Sequence, residues 1–245
     1  MQTVISLKDI RVTLGQNFSL SVERLVLQPH RIYALTGPNG AGKSTLLHIA
    51  AGLEAPDAGS VHVLGQALTA MDDSGRARLR RRDIALVFQQ LNLIPSLTVG
   101  ANISFQAALA GTVDTARVTA LAEALGLSDQ LSKYPEALSG GQQQRVFLAR
   151  SIVQDAELIL LDEPFGGIDA KSEVVIVDIL RRQKQHGKSI VAVHHDLSTV
   201  KDYFDDVILL NKTVTAFGPI NDVFTKSNIE KTYGVSNLDF LTGRS

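Results

Sequence analysis

Three short stretches of this 245-residue sequence carry residue types that could bind a nucleotide phosphate. The first, residues 37–44, reads Gly-Pro-Asn-Gly-Ala-Gly-Lys-Ser and fits the pattern G-x-x-x-x-G-K-[ST]. Its glycines allow backbone N–H groups to point at phosphate oxygens where a helix begins. We expect Lys43 to reach the β and γ phosphates and Ser44 to ligate Mg²⁺. The nucleotide-binding candidates here are Gly37, Pro38, Asn39, Gly40, Ala41, Gly42, Lys43, Ser44 and Thr45.

The second stretch is an apolar run, residues 158–161, that ends in two adjacent carboxylates, Asp162 and Glu163. A buried parallel strand that ends in acids places them at the carboxyl edge of its sheet, where ligands bind. We expect Asp162 to support the Mg²⁺ site. Glu163 points the other way along the strand and suits a general base or a group that positions water at the γ-phosphate.

The third stretch, residues 138–145, reads Leu-Ser-Gly-Gly-Gln-Gln-Gln-Arg and is called here the signature segment. Ser139, Gly140 and Gly141 have the small side chains of a second anion-binding helix N-terminus, with the helix beginning near Gln142. The sequence therefore predicts two phosphate-binding helix ends in one chain.

The elements that must position these motifs follow from hydrophobic periodicity. A strand over 31–36 and a helix over 44–51 flank the first motif, and strands and helices alternate from residue 141 onward, which predicts a parallel sheet covered on both faces. The predicted later elements are helix 141–154, strand 158–161, helix 171–186, strand 189–193, helix 197–204 and strand 207–210.

The rest of the chain predicts two additions to this α/β core. The N-terminal segments 4–7, 10–14 and 18–27 alternate apolar and polar residues, which indicates an antiparallel β subdomain. A helical pattern over 115–125 falls inside an inserted α-helical subdomain, which we place at about 90–135. We expect residues 1–245 to form one α/β domain with a P-loop NTPase core.

Composition excludes several classes of protein. The chain has 24 Lys plus Arg against 25 Asp plus Glu, a balance that argues against nucleic acid as the main partner. It contains no cysteine, which excludes disulfides, a thiolate nucleophile and a Cys-based zinc site. No run approaches the roughly 18 apolar residues of a membrane span, so we expect no direct membrane insertion and any membrane role to depend on a partner.

In order and spacing, the three motifs resemble those of the ATP-binding cassette (ABC) ATPases, and the resemblance extends over nearly the whole chain. It implies ATP and Mg²⁺ as cofactors. It also implies that Ser139, Gly140, Gly141 and Gln142 contact the γ-phosphate held by the phosphate loop of a second nucleotide-binding domain, in a head-to-tail dimer with another copy. A single chain would then hold an incomplete site.

The resemblance assigns further residues one at a time. Gln89 resembles the Q-loop glutamine, which contacts Mg²⁺ and the attacking water. His195 resembles the switch histidine at the γ-phosphate, in preference to its neighbour His194. Together with Lys43 and Glu163 these are the catalytic candidates, and the metal candidates are Ser44, Gln89 and Asp162.

Two positions depart from the family pattern. Asp169 matches the D-loop aspartate, a further nucleotide-site candidate, but Gly-Gly-Ile over 166–168 replaces the commoner Ser-Ala-Leu. Where many relatives stack adenine on an aromatic residue, this chain has Leu14, and Phe18 is the nearest aromatic residue. The resemblance therefore predicts phosphate binding more firmly than base stacking.

About 95 residues separate Lys43 from Ser139 and contain the Q-loop and the helical insert, as in stand-alone transporter subunits. This similarity implies an integral membrane permease that docks on residues 89–99, and a peripheral location on the cytoplasmic face of the inner or plasma membrane. Two roles are open for the apolar residues of this region: contact with the permease, or packing inside the helical subdomain. These residues are Leu91, Leu93, Ile94, Pro95 and Leu97.

The two halves of the chain resemble different transporters. Residues 87–99 are similar to lipoprotein-release and macrolide-exporter ATPases, whereas 162–165, 193–197, 216–219 and 223–234 are similar to ATPases of manganese, zinc and iron importers. The second resemblance is longer, so we predict metal-ion import first and lipoprotein release or export as the alternative. A soluble non-transport ABC ATPase is a third reading, although the presence of Glu163 and His195 argues against a cassette without turnover.

Overall fold

We describe a computed structural model of the chain, which covers residues 3–15, 18–88, 93–166 and 168–234. In these ranges the chain forms a four-stranded and a six-stranded sheet with helices packed around them. The strands are β1 (Ile5–Leu14), β2 (Phe18–Leu27), β3 (Ile32–Thr36), β4 (Ala58–Val63), β5 (Gln66–Ala67), β6 (Ile84–Val87), β7 (Leu158–Leu161), β8 (Ser189–Val193), β9 (Asp206–Leu210) and β10 (Val214–Pro219). The α-helices are α1 (Lys43–Ala50), α2 (Asp73–Arg82), α3 (Val99–Ala110), α4 (Thr115–Ala124), α5 (Gly140–Val153), α6 (Ala170–Gln185), α7 (Val200–Tyr203), α8 (Ile220–Val223) and α9 (Lys226–Tyr233).

The larger sheet has the order β10-β9-β3-β8-β7-β6, in which the five strands from β9 to β6 are parallel and β10 is antiparallel. Both of its faces are buried. On β7, Leu158 and Leu160 point into one hydrophobic core while Ile159 and Leu161 point into the other. This explains the unbroken apolar runs that predicted a parallel sheet, and that prediction is confirmed.

The smaller sheet, of order β2-β1-β4-β5, is the predicted antiparallel β subdomain. Segments 4–7 and 10–14, which the alternation divided, belong to the single strand β1. Asp9 interrupts the alternation because its φ is 53° and the pairing with β4 shifts register between Lys8 and Arg11. This sheet shares one core with α1 and one face of the parallel sheet.

The helical insert lies between β6 and β7, where α3 and α4 pack against α5. The predicted fold class is therefore confirmed, while the limits 90–135 and the single-domain assignment stay predictions. The helix predicted over 197–204 is shorter and spans only Val200–Tyr203. The reason is a turn in front of it, because Asp196 Oδ1 accepts hydrogen bonds from the backbone N–H and the hydroxyl of Ser198.

Candidate nucleotide-binding site

The phosphate loop, residues 37–44, connects the carboxyl end of β3 to α1. Gly42 precedes α1 with a φ of 96°, and no side chain caps the helix and no acidic residue lies in its first turn. The first backbone N–H groups of a helix lack partners within the helix itself. This helix end therefore suits an external anion.

Two glycines of this loop are required by their surroundings. A Cβ on Gly37 would lie 1.9 Å from the carbonyl oxygen of Leu210, a contact that no side chain could make. A Cβ on Gly42 would lie 3.0 Å from both Phe18 and Leu20, in a left-handed conformation that L-residues rarely adopt. The loop thus runs against β9 on one side and β2 on the other.

Lys43 is buried beneath the loop, with 7% of its surface exposed. Its Nζ donates hydrogen bonds to the carbonyl oxygens of Gly37 and Pro38, both at 2.9 Å. Burial lowers the pKa of Lys43, and the nearby carboxylates Glu163 and Asp162 oppose that shift. An anionic phosphate would add a further charge that stabilises the ammonium form.

Asp162 follows β7 and is 4% exposed. The Ser44 hydroxyl lies beside this carboxyl and acts to lower its pKa, while Oδ1 of Asp162 is buried without a hydrogen-bond partner among the described residues. Burial raises the pKa of this carboxyl. A hydroxyl beside an unpartnered carboxylate oxygen is a hard oxygen donor set, which fits Mg²⁺ bound mainly through phosphates and water.

The remaining metal candidate, Gln89, lies outside the described residues. Within the described ranges, no group of three or more His, Cys, Asp or Glu side chains is arranged to hold a metal ion. A cation at Ser44 and Asp162 would therefore depend on the nucleotide for most of its ligands.

Glu163 and His195 come together although 32 positions separate them. Glu163 Oε1 lies 2.7 Å from His195 Nε2. Both side chains line a cleft of about 670 Å³ together with Phe18 and residues 39–45. The backbone of Glu163 has a φ of 56°, unusual for a residue with a side chain, and this conformation turns the chain immediately after Asp162.

His194 faces the interior instead. It is 3% exposed, and its Nε2 lies 2.7 Å from the Thr199 hydroxyl. The rings of Phe165, Tyr203 and Phe204 surround it, and burial lowers its pKa to about 4. These contacts make His194 a neutral packing residue, so His195 is the histidine of this pair that faces the cleft.

The signature segment begins α5 with a capping box. The Ser139 hydroxyl accepts a hydrogen bond from the Gln142 backbone N–H, and the Gln142 side chain accepts one from the Ser139 backbone N–H. A Cβ on Gly140 or Gly141 would meet nothing within 4 Å, so the glycines border open space. The helix begins at Gly140, slightly earlier than predicted. None of residues 139–142 is among the described residues that line the cleft.

Asp169 caps α6 by accepting hydrogen bonds from the backbone N–H and the hydroxyl of Ser172. These bonds lower the pKa of Asp169. Arg145, on the signature helix, donates to the same Ser172 hydroxyl. Sequence reasoning missed Arg145 and Ser172 as a link between these two segments, although Asp-x-x-Ser at a predicted helix start indicates the cap.

Of the two candidates for the adenine, only Phe18 lines the cleft, and Leu14 is an exposed residue of β1. The sequence placed the aromatic residue upstream of the loop but could not show which side chain faces it. Among the described residues, it is Phe18 that faces the loop, since its ring lies where a Cβ on Gly42 would approach to 3.0 Å.

A second surface, the α2–α3 groove, lies where the chain enters the helical insert and encloses about 320 Å³. Leu53 and Leu109 are exposed along it. Among the described residues that line it, the charged ones are Arg80, Arg81 and Arg150. The structure describes four of the five predicted contact residues: Leu93, Ile94 and Leu97 are half-buried and Pro95 is exposed, whereas Leu91 lies outside the described residues. None of these four residues lines the groove.

Comparison with known proteins fits this fold and site, which define a P-loop nucleoside triphosphatase. The family model described as "ABC transporter" matches residues 20–166, more than half of the chain. The chain belongs to the ABC transporter family. It is an ATP-binding subunit and an ATPase of that family.

Two relatives illustrate the similarity. The chain is 38% identical over 242 residues to the manganese transport system ATP-binding protein MntB of Halalkalibacterium halodurans, covering 95% of this chain and 93% of that protein. It is 41% identical over 212 residues to the zinc transport system ATP-binding protein TroB of Treponema pallidum, covering 83% and 76% of the two chains.

A solved structure matches as well. The ATP-binding cassette MJ0796, in a dimeric post-hydrolysis state with ADP and phosphate, superposes with a TM-score of 0.79 at 28% identity, covering 88% of this chain and 98% of that one. In the described part of our chain, every helix is too short or too polar to cross a bilayer.

The buried His194 predicts a pH dependence of stability. The unfolded chain binds a proton near the ordinary histidine pKa of 6.5, whereas the folded chain does so only near 4. Stability should therefore fall as the pH drops from 6.5 to 4, with His194 contributing roughly 3 kcal/mol over that window. Urea unfolding across this range should show a shallower loss for His194→Gln than for the wild type.

The exposed His186 provides the matched control, and His186→Gln should follow the wild-type curve. If His194→Gln lost stability as steeply as the wild type, the buried neutral imidazole would not account for the pH dependence.

Proposed function

We propose that this chain hydrolyses MgATP in a homodimer and so energises a metal-ion importer. The observation that carries the proposed chemistry is the 2.7 Å contact between Glu163 and His195 in the cleft beside the phosphate loop. A carboxylate that serves as general base must open into the space where the γ-phosphate binds, and Glu163 lines the cleft beside the phosphate loop. A neighbouring imidazole can orient that carboxylate and contact the γ-phosphate.

In this account Lys43 and the loop N–H groups bind the triphosphate, with Phe18 beside the base. Mg²⁺ held at Ser44 and Asp162 would neutralise charge on the phosphates when bound. Glu163 orients a water molecule and accepts its proton as the water oxygen bonds to the γ-phosphorus, while the bond to the β–γ bridging oxygen breaks and ADP leaves. Phosphoryl transfer requires little covalent help from the protein, so correct positioning of these groups supplies most of the catalysis.

Two further assignments complete the proposed site. We assign Gln89 to the Mg²⁺ and water contacts because of its motif, and Asp169 to the interface beside the second nucleotide. The region around residues 90–135 acts in this proposal as the helical subdomain of a single nucleotide-binding domain. These roles come from the resemblance to the family and are consistent with the position of Asp169 next to the signature helix.

Dimerisation is supported by an incomplete cleft. The capped N-terminus of α5 borders open space and does not line the cleft of its own chain. A second copy, docked head to tail, would bring Ser139, Gly140 and Gly141 to the γ-phosphate. MJ0796, to which this chain is similar, is dimeric in its post-hydrolysis state with ADP and phosphate.

The α2–α3 groove supports a permease as the membrane partner. Its exposed leucines and its arginines suit an amphipathic helix that carries a carboxylate, because apolar burial supplies affinity and charge pairing sets orientation. The loop next to it is well fixed, since the buried Asn102 side chain hydrogen-bonds the backbone of Ile94, Leu97 and Thr98. Docking there would place this chain at the cytoplasmic face of a membrane.

Metal-ion import is supported by the relatives MntB and TroB, named for manganese and zinc transport. The cargo itself would not touch this subunit, which contacts only ATP and the permease. Lipoprotein release or export is the second candidate, and it depends on the resemblance of residues 87–99 to such ATPases. A soluble ABC ATPase is disfavoured by the similarity to transport-system subunits over nearly the whole chain.

The role of Glu163 as general base can be tested by substitution. Glu163→Gln keeps the shape of the side chain but cannot accept a proton, so the steady-state ATPase rate should fall by at least about 100-fold. The variant should accumulate as an ATP-bound dimer on gel filtration in the presence of MgATP, because closure no longer ends in hydrolysis.

Glu157 provides a matched control, an exposed glutamate just before β7, and Glu157→Gln should hydrolyse ATP normally. Lys43→Ala should abolish nucleotide binding. Wild-type turnover by Glu163→Gln would refute its role as the base, and wild-type affinity in Lys43→Ala would refute the phosphate loop.

The proposed role in metal-ion import can be tested in cells. Cells that lack this chain should lose uptake of radioactive manganese or zinc, and wild type but not Glu163→Gln should restore it. Arg81→Glu should also fail to restore uptake while its purified form still hydrolyses ATP, because it reverses a charge in the α2–α3 groove.

Arg82→Glu is the control for added negative charge, since Arg82 is exposed on the same helix but does not line the groove. Equal uptake with Arg81→Glu and Arg82→Glu would contradict docking at the groove. Normal metal uptake without the chain, together with retention of lipoproteins in the inner membrane, would favour the release function instead.

A further inference from the structure

The C-terminal helix α9 contacts the beginning of the phosphate loop. The hydroxyl of Tyr233, the last residue of α9, lies 2.7 Å from the hydroxyl of Thr36, the last residue of β3. Thr36 is completely buried, and the backbone of the next residue, Gly37, lies close enough to the Tyr233 hydroxyl to oppose the rise in its pKa that burial causes. A residue 197 positions away in sequence thus fixes the point at which the strand becomes the loop.

The same end of α9 reaches the loop by a second route. The Asn211 side chain donates to the Thr232 carbonyl at 2.8 Å, which ties the turn between β9 and β10 to the helix. In that turn the backbone N–H of Lys212 donates to the Ala41 carbonyl at 2.9 Å. The C-terminal part of the chain therefore contacts the phosphate loop near its first residue and near its middle.

Two interactions at the start of the loop respond differently to a nucleotide. The carbonyl oxygen of Gly37 accepts a hydrogen bond from Lys43, whose ammonium group must turn towards the phosphates when a nucleotide binds. The Tyr233 contact is with the Thr36 hydroxyl, which belongs to the strand before the loop. When Lys43 leaves the Gly37 carbonyl, Tyr233 and Thr36 still hold this peptide against β9.

We propose that Tyr233 is a positioning residue for nucleotide binding, which keeps the backbone of Gly37 in the conformation that accepts phosphate. The inference depends on the proposed nucleotide site. Burial raises the pKa of the Tyr233 hydroxyl, so it keeps its proton throughout the neutral range. Because Tyr233 touches no reacting atom, it acts on affinity through the loop and not on the chemical step.

Tyr233→Phe tests this proposal, since it removes the hydroxyl and leaves the ring. The dissociation constant for ADP with Mg²⁺, measured by calorimetry on the full chain, should rise about three- to tenfold, the effect of one buried hydrogen bond. The KM for ATP should rise by a similar factor, while kcat should change less than about twofold.

Tyr33→Phe is the matched control. The Tyr33 hydroxyl is also hydrogen-bonded, but its partner is the backbone of Gln28, at the other end of β3 from the phosphate loop. Both variants should lower the melting temperature, and only Tyr233→Phe should weaken ADP binding. Equal ADP affinities for wild type, Tyr33→Phe and Tyr233→Phe would overturn the proposal and leave Tyr233 a stabilising contact.

Substitutions at Thr36 keep the proposal testable if Tyr233→Phe does not fold. Thr36→Val removes the hydroxyl at nearly constant volume and should weaken ADP binding, whereas Thr36→Ser should retain wild-type affinity. Equal affinity of the Val and Ser variants would contradict the proposal. Lys43→Ala separates failure of this proposal from failure of the proposed nucleotide site. If Lys43→Ala still bound ADP, the nucleotide site itself would be refuted.

Discussion

The negative charge of a nucleoside triphosphate must be stabilised by backbone N–H groups that are held at fixed positions. Elements from both sheets contact the loop that presents these groups. Gly37 passes so close to Leu210 that no side chain fits between them. Gly42 turns against β2, and the Ala41 carbonyl is bonded to the turn after β9. Because these contacts come from both sheets, the loop conformation depends on the tertiary structure as a whole.

The backbone geometry at the end of β7 explains why Asp162 and Glu163 can serve different roles. Asp162 and Glu163 follow the same strand, but the positive φ of Glu163 turns the chain between them. One carboxylate is therefore buried against Ser44, while the other faces the cleft and His195. Burial of Asp162 leaves one of its oxygens without a partner among the described residues, a cost that a bound cation would relieve. The unusual backbone conformation of Glu163 and the buried carboxylate of Asp162 therefore lie together at the place where we propose that ATP is hydrolysed.

The signature helix connects this chemistry to the surface that we assign to a second copy. Gln144 donates to the Pro164 carbonyl, one residue beyond Glu163, and Arg145 donates to the residue that binds Asp169. Through these hydrogen bonds, a movement of α5 would also displace the segment after β7 and the start of α6. This connection gives a physical path between the helical insert and the proposed base.

Local signals in the sequence predicted the local features well. The phosphate loop, the apolar strand before Asp162 and the cap at Ser139 each depend on neighbours in sequence, so spacing alone indicates them. The contact between Glu163 and His195 was not predicted: the strand end indicated Glu163 and the resemblance indicated His195, but no periodicity relates residues so far apart. The shortened helix α7 reflects an Asp196 turn that competes with helical propensity.

The contacts made by Tyr233 and Ser172 could not be predicted, because they depend on how distant elements pack. Tyr233 contacts Thr36 only because β9 and β10 lead the chain back, so that α9 lies at the carboxyl end of β3. Ser172 joins two segments that are each recognisable alone. Sequence motifs therefore predicted the parts of the site, whereas the structure was needed to see what connects them.

The central claim is that each nucleotide site is completed by two chains, and mixing two inactive variants tests it most directly. Lys43→Ala removes the phosphate loop and Ser139→Phe obstructs the signature helix, so each purified variant alone should lack ATPase activity. A mixed dimer would contain one intact loop facing one intact signature segment, and mixing should restore hydrolysis. If the mixture stayed inactive although both variants fold and associate, or if Ser139→Phe alone hydrolysed ATP at the wild-type rate, the shared site would be wrong.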